Sequence, residues 1–271
     1  MYKVLMIFAL LTSLFSFEVV NGQTFLVEVK KNSQLLKDGK ALKLLKHPTK
    51  KDSYFVLIPV GYKSEIKDIE LLHVEGEKKK KIVLRVKQGE YKKETLTVNP
   101  KKVKPPKSEQ NRIYKEYLES KKIYATVTEQ RYWNKPFLMP LGSKVTSDYG
   151  NARVFNSSLK SFHSGTDFRA PIGTPIKAIN DGIVAVASDR YYSGNAVIID
   201  HGEGIYSSYS HLSKIVVKKG ARIKRGQKLG LSGATGRVTG PHLHFSFIID
   251  SKKIDPLDFI EKINSLFEGV N

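Results

Sequence analysis

Only seven histidines occur in these 271 residues, and two of them stand two apart, in the run His242-Leu243-His244. On a strand, side chains at i and i+2 share a face, so the two imidazoles project together while Leu243 turns to the opposite layer. Taken alone, such a doublet arises by chance more often than as a metal site. The chain supplies further candidates. HSGTDF places three residues between His163 and Asp167, and His211 sits in SYSHLS. There is no cysteine, so any metal must be held by His, Asp or Glu. Neutral imidazole nitrogens and a carboxylate oxygen suit zinc, which in a catalytic site keeps about three protein ligands and one open position. Two histidines and one aspartate leave a formal charge of about +1, enough to acidify water toward a pKa of roughly 7. Five candidates exceed three ligands, which leaves two histidines to move protons and steady charge. The pattern points to metal-assisted hydrolysis.

These residues must be positioned by β-structure. A helix would put His163 and Asp167 on one face, but Gly165, Thr166, Phe168 and Pro171 oppose one, so a turn feeding a short strand is predicted there. From Pro136 onward glycines separate short apolar runs: GIVAVA (182–187), NAVIID (195–200), GIYSSYS (204–210), KLGLSG (228–233) and HLHFSFII (242–249). This reads as an antiparallel β-domain, residues 136–271. It ends in a helix capped by Asp255, opened by Pro256 and striped by Leu257, Ile260, Ile263, Leu266 and Phe267. The glycine-rich GATGRVTGPH stretch lacks the spacing of a phosphate-binding loop and reads as hairpin turns.

Ahead of that domain, residues 23–102 hold the strand-like runs TFLVEV, SYFVLIPV, KIVLRV and ETLTV, separated by turn residues. A small β-sandwich of immunoglobulin-like type is predicted, giving a mostly β protein. His47 and His73 stand alone there and read as surface or packing residues. Residues 103–135 form a connector: Pro100, Pro105 and Pro106 favour an extended stretch. A helix capped by Ser108 follows, with Ile113, Tyr114, Tyr117, Leu118 and Ile123 at helical spacing.

Residues 1–22 read as a secretion signal. Met1-Tyr2-Lys3 gives a cationic start, Val4 to Phe17 an apolar run short of the roughly 20 residues that span a bilayer, and cleavage fits after Gly22. An uncleaved anchor is the alternative. The protein is expected to be exported to the periplasm or cell envelope, with no stable membrane span after signal removal. The net charge is +20, of which residues 23–107 carry +12, from 22 basic and 10 acidic groups. Nucleic acid is the usual partner of such a surface, but an export signal argues against it and favours an anionic envelope polymer or a solvated lysine-rich face.

The histidine set resembles the lysostaphin/LytM-type zinc metallopeptidases, which cleave peptide cross-bridges in bacterial cell walls. The likeness extends to VTSDYG (145–150), HSGTDFRAPIGTPIKA (163–178), GNAVIIDHGEGIYSSYSHL (194–212) and KKGARIKRGQKLGLSGATGRVTGPHLHF (218–245), together roughly two-fifths of the chain. It implies one Zn2+ per chain held by His163, Asp167 and His244, with His211 and His242 as the catalytic pair beside it. Which of that pair is general base is left open. His201 matches a common family position and reads as structural or rim-lining. Tyr149, Arg153 and Tyr209 are candidates to line a substrate groove, each also readable as packing. One departure is Asn151-Ala152, standing between Gly150 and Arg153 where the family more often has Phe-Gly-x-Arg.

The resemblance implies an endopeptidase, with carboxypeptidase action possible on the same chemistry, acting on peptidoglycan stem peptides or cross-links in cell-wall remodelling. Its alternative is a non-catalytic LytM-like regulator of other wall hydrolases, whose sign is substituted metal positions. An adhesin for anionic polymers would explain the charge but not the histidines. The front domain resembles β-rich domains that precede some members, and occlusion of the groove is one role it could serve.

Overall fold

The computed structural model describes residues 13–268. Residues 1–12, which carry most of the expected signal, lie outside the described residues. The rest of that segment forms the strand Ser13–Val20, which pairs in parallel with Lys78–Lys87 at the edge of a sheet. Val19 is buried in the core beneath it. Cleavage after Gly22 would therefore also remove an edge strand and bare the Lys78–Lys87 backbone.

The front unit is a two-sheet sandwich. One sheet runs Ser13–Val20, Lys78–Lys87, Ile69–Glu75, Ser33–Lys37, Lys40–Ala41; the other runs Thr24–Lys30, Ser53–Pro59, Leu45–Lys46. Leu35, Val56, Ile58, Leu71 and Leu84 fill the space between them. The run SYFVLIPV does not alternate in polarity because its strand is covered on both sides. Val56 and Ile58 face the sandwich, whereas Phe55 and partly buried Leu57 join the core of the second unit. The two units thus share a core, and they are also stitched by hydrogen bonds from Thr24 N to Asp258 Oδ2 (2.9 Å) and from Asp255 N to the Gly22 carbonyl (2.7 Å).

The second unit is built on a ten-stranded sheet. Its main path is Val145–Ser147, Thr166–Arg169, His242–Ile249, Ile205–Ile215, Gly194–Asp200, Gly182–Arg190, Arg222–Ile223, every pair antiparallel. One face carries Leu243, Phe245, Phe247, Tyr209 and Val197 into the main core. The C-terminal helix Pro256–Ser265 docks on that face through Phe259, Ile260 and Ile263, and Asp255 caps it by accepting from Leu257 N.

The connector differs from its sequence reading in two respects. The strand Lys93–Leu96, expected within the sandwich, leaves it and pairs in parallel with Ala152–Phe155 of the second unit. The helix Lys107–Ala125 starts after Pro106, which caps without a side-chain bond, so Ser108 lies in the first turn and is not the cap. Proline at that position ends the extended stretch two residues earlier than a cap at Ser108 would. The helix buries none of its residues fully. Ile123 and Tyr124 pack on Val186, Ile198, Tyr206 and Ile248, while Tyr114 and Tyr117 stay exposed.

Candidate active site

The opposite face of the ten-stranded sheet carries the histidines. Thr166–Arg169 and His242–Ile249 are neighbours in the register Asp167↔His244, so these two side chains stand directly across from one another. His163 reaches them from the preceding turn. The chain there passes so close to the next strand that a Cβ at Gly165 would lie 2.3 Å from the Phe245 carbonyl oxygen and 2.5 Å from Ser246 Oγ. Glycine is required at that position for close approach of backbone to backbone.

His211 needs a different device. In strict alternation it would share the core-facing side of Tyr209. The pairing of Ile205–Ile215 with Gly194–Asp200 shifts register between Val197↔Tyr209 and Asn195↔Leu212, and His211 adopts a positive φ of 66°. This bulge, an extra residue in one strand, turns His211 to the histidine face and returns Leu212 to the core. The ring centroids of His211 and His242 are 4.8 Å apart, and those of His211 and His244 5.9 Å.

Three donor atoms converge. His163 Nε2 lies 2.9 Å from Asp167 Oδ1 and 3.0 Å from His244 Nδ1, and Asp167 Oδ1 lies 2.8 Å from His244 Nδ1. Donors about 2.0–2.1 Å from a tetrahedral zinc stand roughly 3.3 Å apart, so the triad fits such an ion with a few tenths of an ångström of opening. The tautomers suit this use. His163 Nδ1 donates to the Asp148 carbonyl (2.7 Å), which leaves the Nε2 lone pair on the site. His211 Nδ1 donates to the Thr235 carbonyl and His242 Nδ1 to the Gly240 carbonyl, each 2.8 Å away, so each keeps a free Nε2. His242 Nε2 lies 3.6 Å from Asp167 Oδ1. Beyond His244, Ser246 Oγ is 2.9 Å from Nε2. Outer hydrogen bonds of this kind fix ring orientation and donor basicity.

The electrostatics keep the donors in their binding forms. Burial opposes ionisation of Asp167, but the adjoining His163 and His244 rings outweigh it and hold the carboxyl well below the usual carboxylate range. Burial, against the pull of Asp167, pushes His244 down to about 4. Burial and then the nearby His244 and His242 push His211 well below the usual imidazole value. Both rings are neutral near pH 7.

Arg153 borders the same site. Its Nη2 donates to Asp167 Oδ2 (2.8 Å), and its Nε donates to Glu94 Oε2 (2.8 Å), on the strand that crosses from the front unit. Glu94, Leu96 and Val98 help to enclose a cleft of about 300 Å³ with Arg153, His211 and His242. A larger groove, about 890 Å³, opens beside His244 and runs along the connector helix past Ile113, Tyr117, Arg190 and Lys253.

The two tyrosine candidates are placed elsewhere. Tyr209 is 0% exposed and accepts from Ile179 N, because strand alternation turns it from Ser208 and Ser210 into the core. Tyr149 is 4% exposed, donates to the Lys253 carbonyl and packs edge-on against Phe162, so it is packing and not groove lining. His201 is fully buried, with Nδ1 donating to the Asp181 carbonyl and Nε2 2.8 Å from Ser207 Oγ. Its place is structural. His47 is also buried, where Nδ1 accepts from Lys50 N at 3.0 Å.

The model of peptidase family M23 matches residues 161–256, a segment that contains all three converging donors together with His211 and His242. Residues 161–256 are a peptidase family M23 domain. The peptidoglycan DD-endopeptidase ShyA of Vibrio cholerae is 50% identical to this M23-bearing chain over 95 residues, which are 35% of this chain and 22% of ShyA. The chain thus covers about a fifth of that relative's length. A crystal structure of a candidate peptidase M23 from Pseudomonas aeruginosa is 27% identical, covers 89% of this chain and 94% of its own, and superposes with a TM-score of 0.66. The catalytic domain of lysostaphin from Staphylococcus simulans is 36% identical over 44% of this chain and 92% of that domain, with a TM-score of 0.40. The expected family resemblance and the mostly β architecture are met.

Proposed function

We propose that this protein is an exported zinc endopeptidase that hydrolyses peptide bonds in peptidoglycan stem peptides or cross-links during cell-wall remodelling. The observation that carries the reading is the convergence of His163 Nε2, Asp167 Oδ1 and His244 Nδ1 to within 3.0 Å of one another, with His211 and His242 on the same face. A zinc ion held by that triad would supply Lewis acidity toward the peptide carbonyl and acidify water at the site. The name of ShyA supports the substrate class and the choice of endopeptidase.

The chain's own residues divide the remaining tasks. His211 and His242 hold their Nε2 lone pairs toward the cleft because each Nδ1–H is tied to a carbonyl. One imidazole accepts the proton of the attacking water, and the other, once protonated, donates to the carbonyl oxygen as negative charge grows on it. Arg153 occupies Asp167 Oδ2 and so leaves Oδ1 to face the two histidines. The groove along the connector helix reaches His244 and is the candidate path for an extended peptide toward the site.

Digestion of purified sacculi, with released fragments identified by mass, tests the reading. Cross-linked dimers converted to monomers support an endopeptidase; loss of a terminal residue from monomers supports carboxypeptidase action on the same chemistry. The sign of the regulator alternative is substituted metal positions, whereas all five residues are in place. A purified chain without zinc that left sacculi intact would favour that alternative. Export is part of the proposal, and N-terminal sequencing of protein recovered from the envelope checks cleavage after Gly22. No helix of the described residues is long and apolar enough to cross a membrane.

A further inference from the structure

The M23 segment begins at residue 161, yet a side chain 67 positions earlier reaches the metal-ligand carboxylate through one intermediary. In the parallel pairing of Lys93–Leu96 with Ala152–Phe155, Glu94 is in register with Arg153. Glu94 Oε2 accepts from Arg153 Nε at 2.8 Å. Its Oε1 accepts from Ser147 Oγ at 2.6 Å and from the Asn151 side-chain amide at 2.8 Å. Arg153 Nη2 then donates to Asp167 Oδ2 at 2.8 Å and to Ser147 Oγ at 2.9 Å. Ser147 Oγ also lies 3.1 Å from His163 Nδ1. The side chains of Glu94, Arg153 and Asp167 are 21%, 13% and 8% exposed, so water screens them weakly.

Two consequences follow from chemistry alone. A guanidinium held at two of its nitrogens cannot swing, so its grip on Asp167 Oδ2 fixes the carboxylate plane and presents one oxygen to the histidines. A guanidinium without a second anion would set its whole positive charge against the ligand carboxylate and withdraw electron density from it, which weakens that oxygen as a cation donor. Glu94 balances this charge. It also accepts from Ser147 and Asn151, which fixes its own carboxylate beside Arg153.

We infer that Glu94, delivered by the strand that crosses from the front unit, is a positioning residue of the metal centre, acting through Arg153 on Asp167. The front unit therefore contributes to metal affinity as well as to the wall of the cleft. This inference rests on the zinc reading above. It explains why Asn151-Ala152 separates Gly150 from Arg153: Asn151 is 3% exposed and spends its amide on Glu94.

Zinc affinity of the full chain, measured by competition with a chelator of known affinity, tests it. Glu94→Gln keeps size and shape and removes the charge. It is expected to weaken zinc binding about tenfold, the lower end for outer partners of a metal ligand, while the melting temperature of the zinc-free chain stays close to wild type. In an Arg153→Met background the same change should have no further effect, because the group through which it acts is gone. Should Glu94→Gln fail to fold, the shorter pair Glu94→Asp and Glu94→Asn reads the same charge difference at equal length, with the aspartate variant binding more tightly. Unchanged affinity in Glu94→Gln, or an equal loss with and without Arg153, would overturn the inference and leave the zinc site standing. A wild-type chain that binds no zinc would instead overturn the site itself.

Discussion

Asp167 and His244 face one another across adjacent antiparallel strands, with Asp167 Oδ1 2.8 Å from His244 Nδ1. A single register therefore sets two of the three converging donors. A slip of one residue would turn His244 into the core and bring Leu243 onto the site face. Gly165 is what lets the chain carrying Asp167 lie so close to the partner strand.

Gly165→Ala should consequently disturb the site as well as the fold. The new Cβ meets backbone, the Phe245 carbonyl oxygen at 2.3 Å, which cannot rotate away. Overpacking of this kind costs about 1–3 kcal/mol. Urea unfolding of the metal-free chain should read that loss, and zinc affinity should fall with it. Full stability with intact zinc binding would contradict the account.

The proposed mechanism gives His211 and His242 proton-transfer roles outside the ligand set, so His211→Gln and His242→Gln should each retain one zinc per chain. Rates on cross-linked muropeptides should fall about 10²–10⁴-fold, the usual range for a general acid or base. Metal analysis beside kinetics separates the two effects. Loss of zinc in either variant would move that residue into the ligand set.

His201 gives a pH dependence of stability. Burial pushes its ring down from 6.5 to about 4, against the hydrogen bond to the Asp181 carbonyl, so the folded chain holds it neutral. Between those values the unfolded chain takes up a proton that the folded chain refuses. The stability is thus present above about pH 6.5 and lost as pH falls toward 4, by about 3 kcal/mol in all. Urea titrations of chelator-treated wild type and His201→Gln at pH 7 and 4.5 check it. The drop between the two pH values should be about 2–3 kcal/mol smaller in the variant.

The two units should melt together. Phe55 lies on a front-unit strand but is 0% exposed in the core that also holds Trp133, Phe247 and Phe259. Phe55→Ala should lower stability by about 3–5 kcal/mol, and calorimetry of the full chain should show one transition before and after the change. Two separated transitions would show that the shared core does not couple the units.

Most of this site was legible in the sequence because its signals are local. The i, i+2 doublet, the glycine beside Asp167 and the family blocks all lie within short stretches of chain. What stayed hidden depends on pairing between distant residues. Nothing near Glu94 marks it as a neighbour of Arg153, since that contact comes from a parallel pairing of strands 59 residues apart in register. Tyr209 read as groove lining because SYSHLS looks like one regular strand; the bulge that turns His211 to the site leaves Tyr209 in the core. The non-alternating SYFVLIPV run could have revealed a strand covered on both faces, and so a shared core in place of two units joined by a linker.

The most direct test is the metal content of the purified full chain beside that of Asp167→Asn and His244→Ala, with folding checked by circular dichroism. The account predicts one zinc per wild-type chain and affinity lowered by more than about 100-fold in each variant, beyond the loss caused by outer partners. Equal zinc in all three proteins, or none in the wild type, would contradict it.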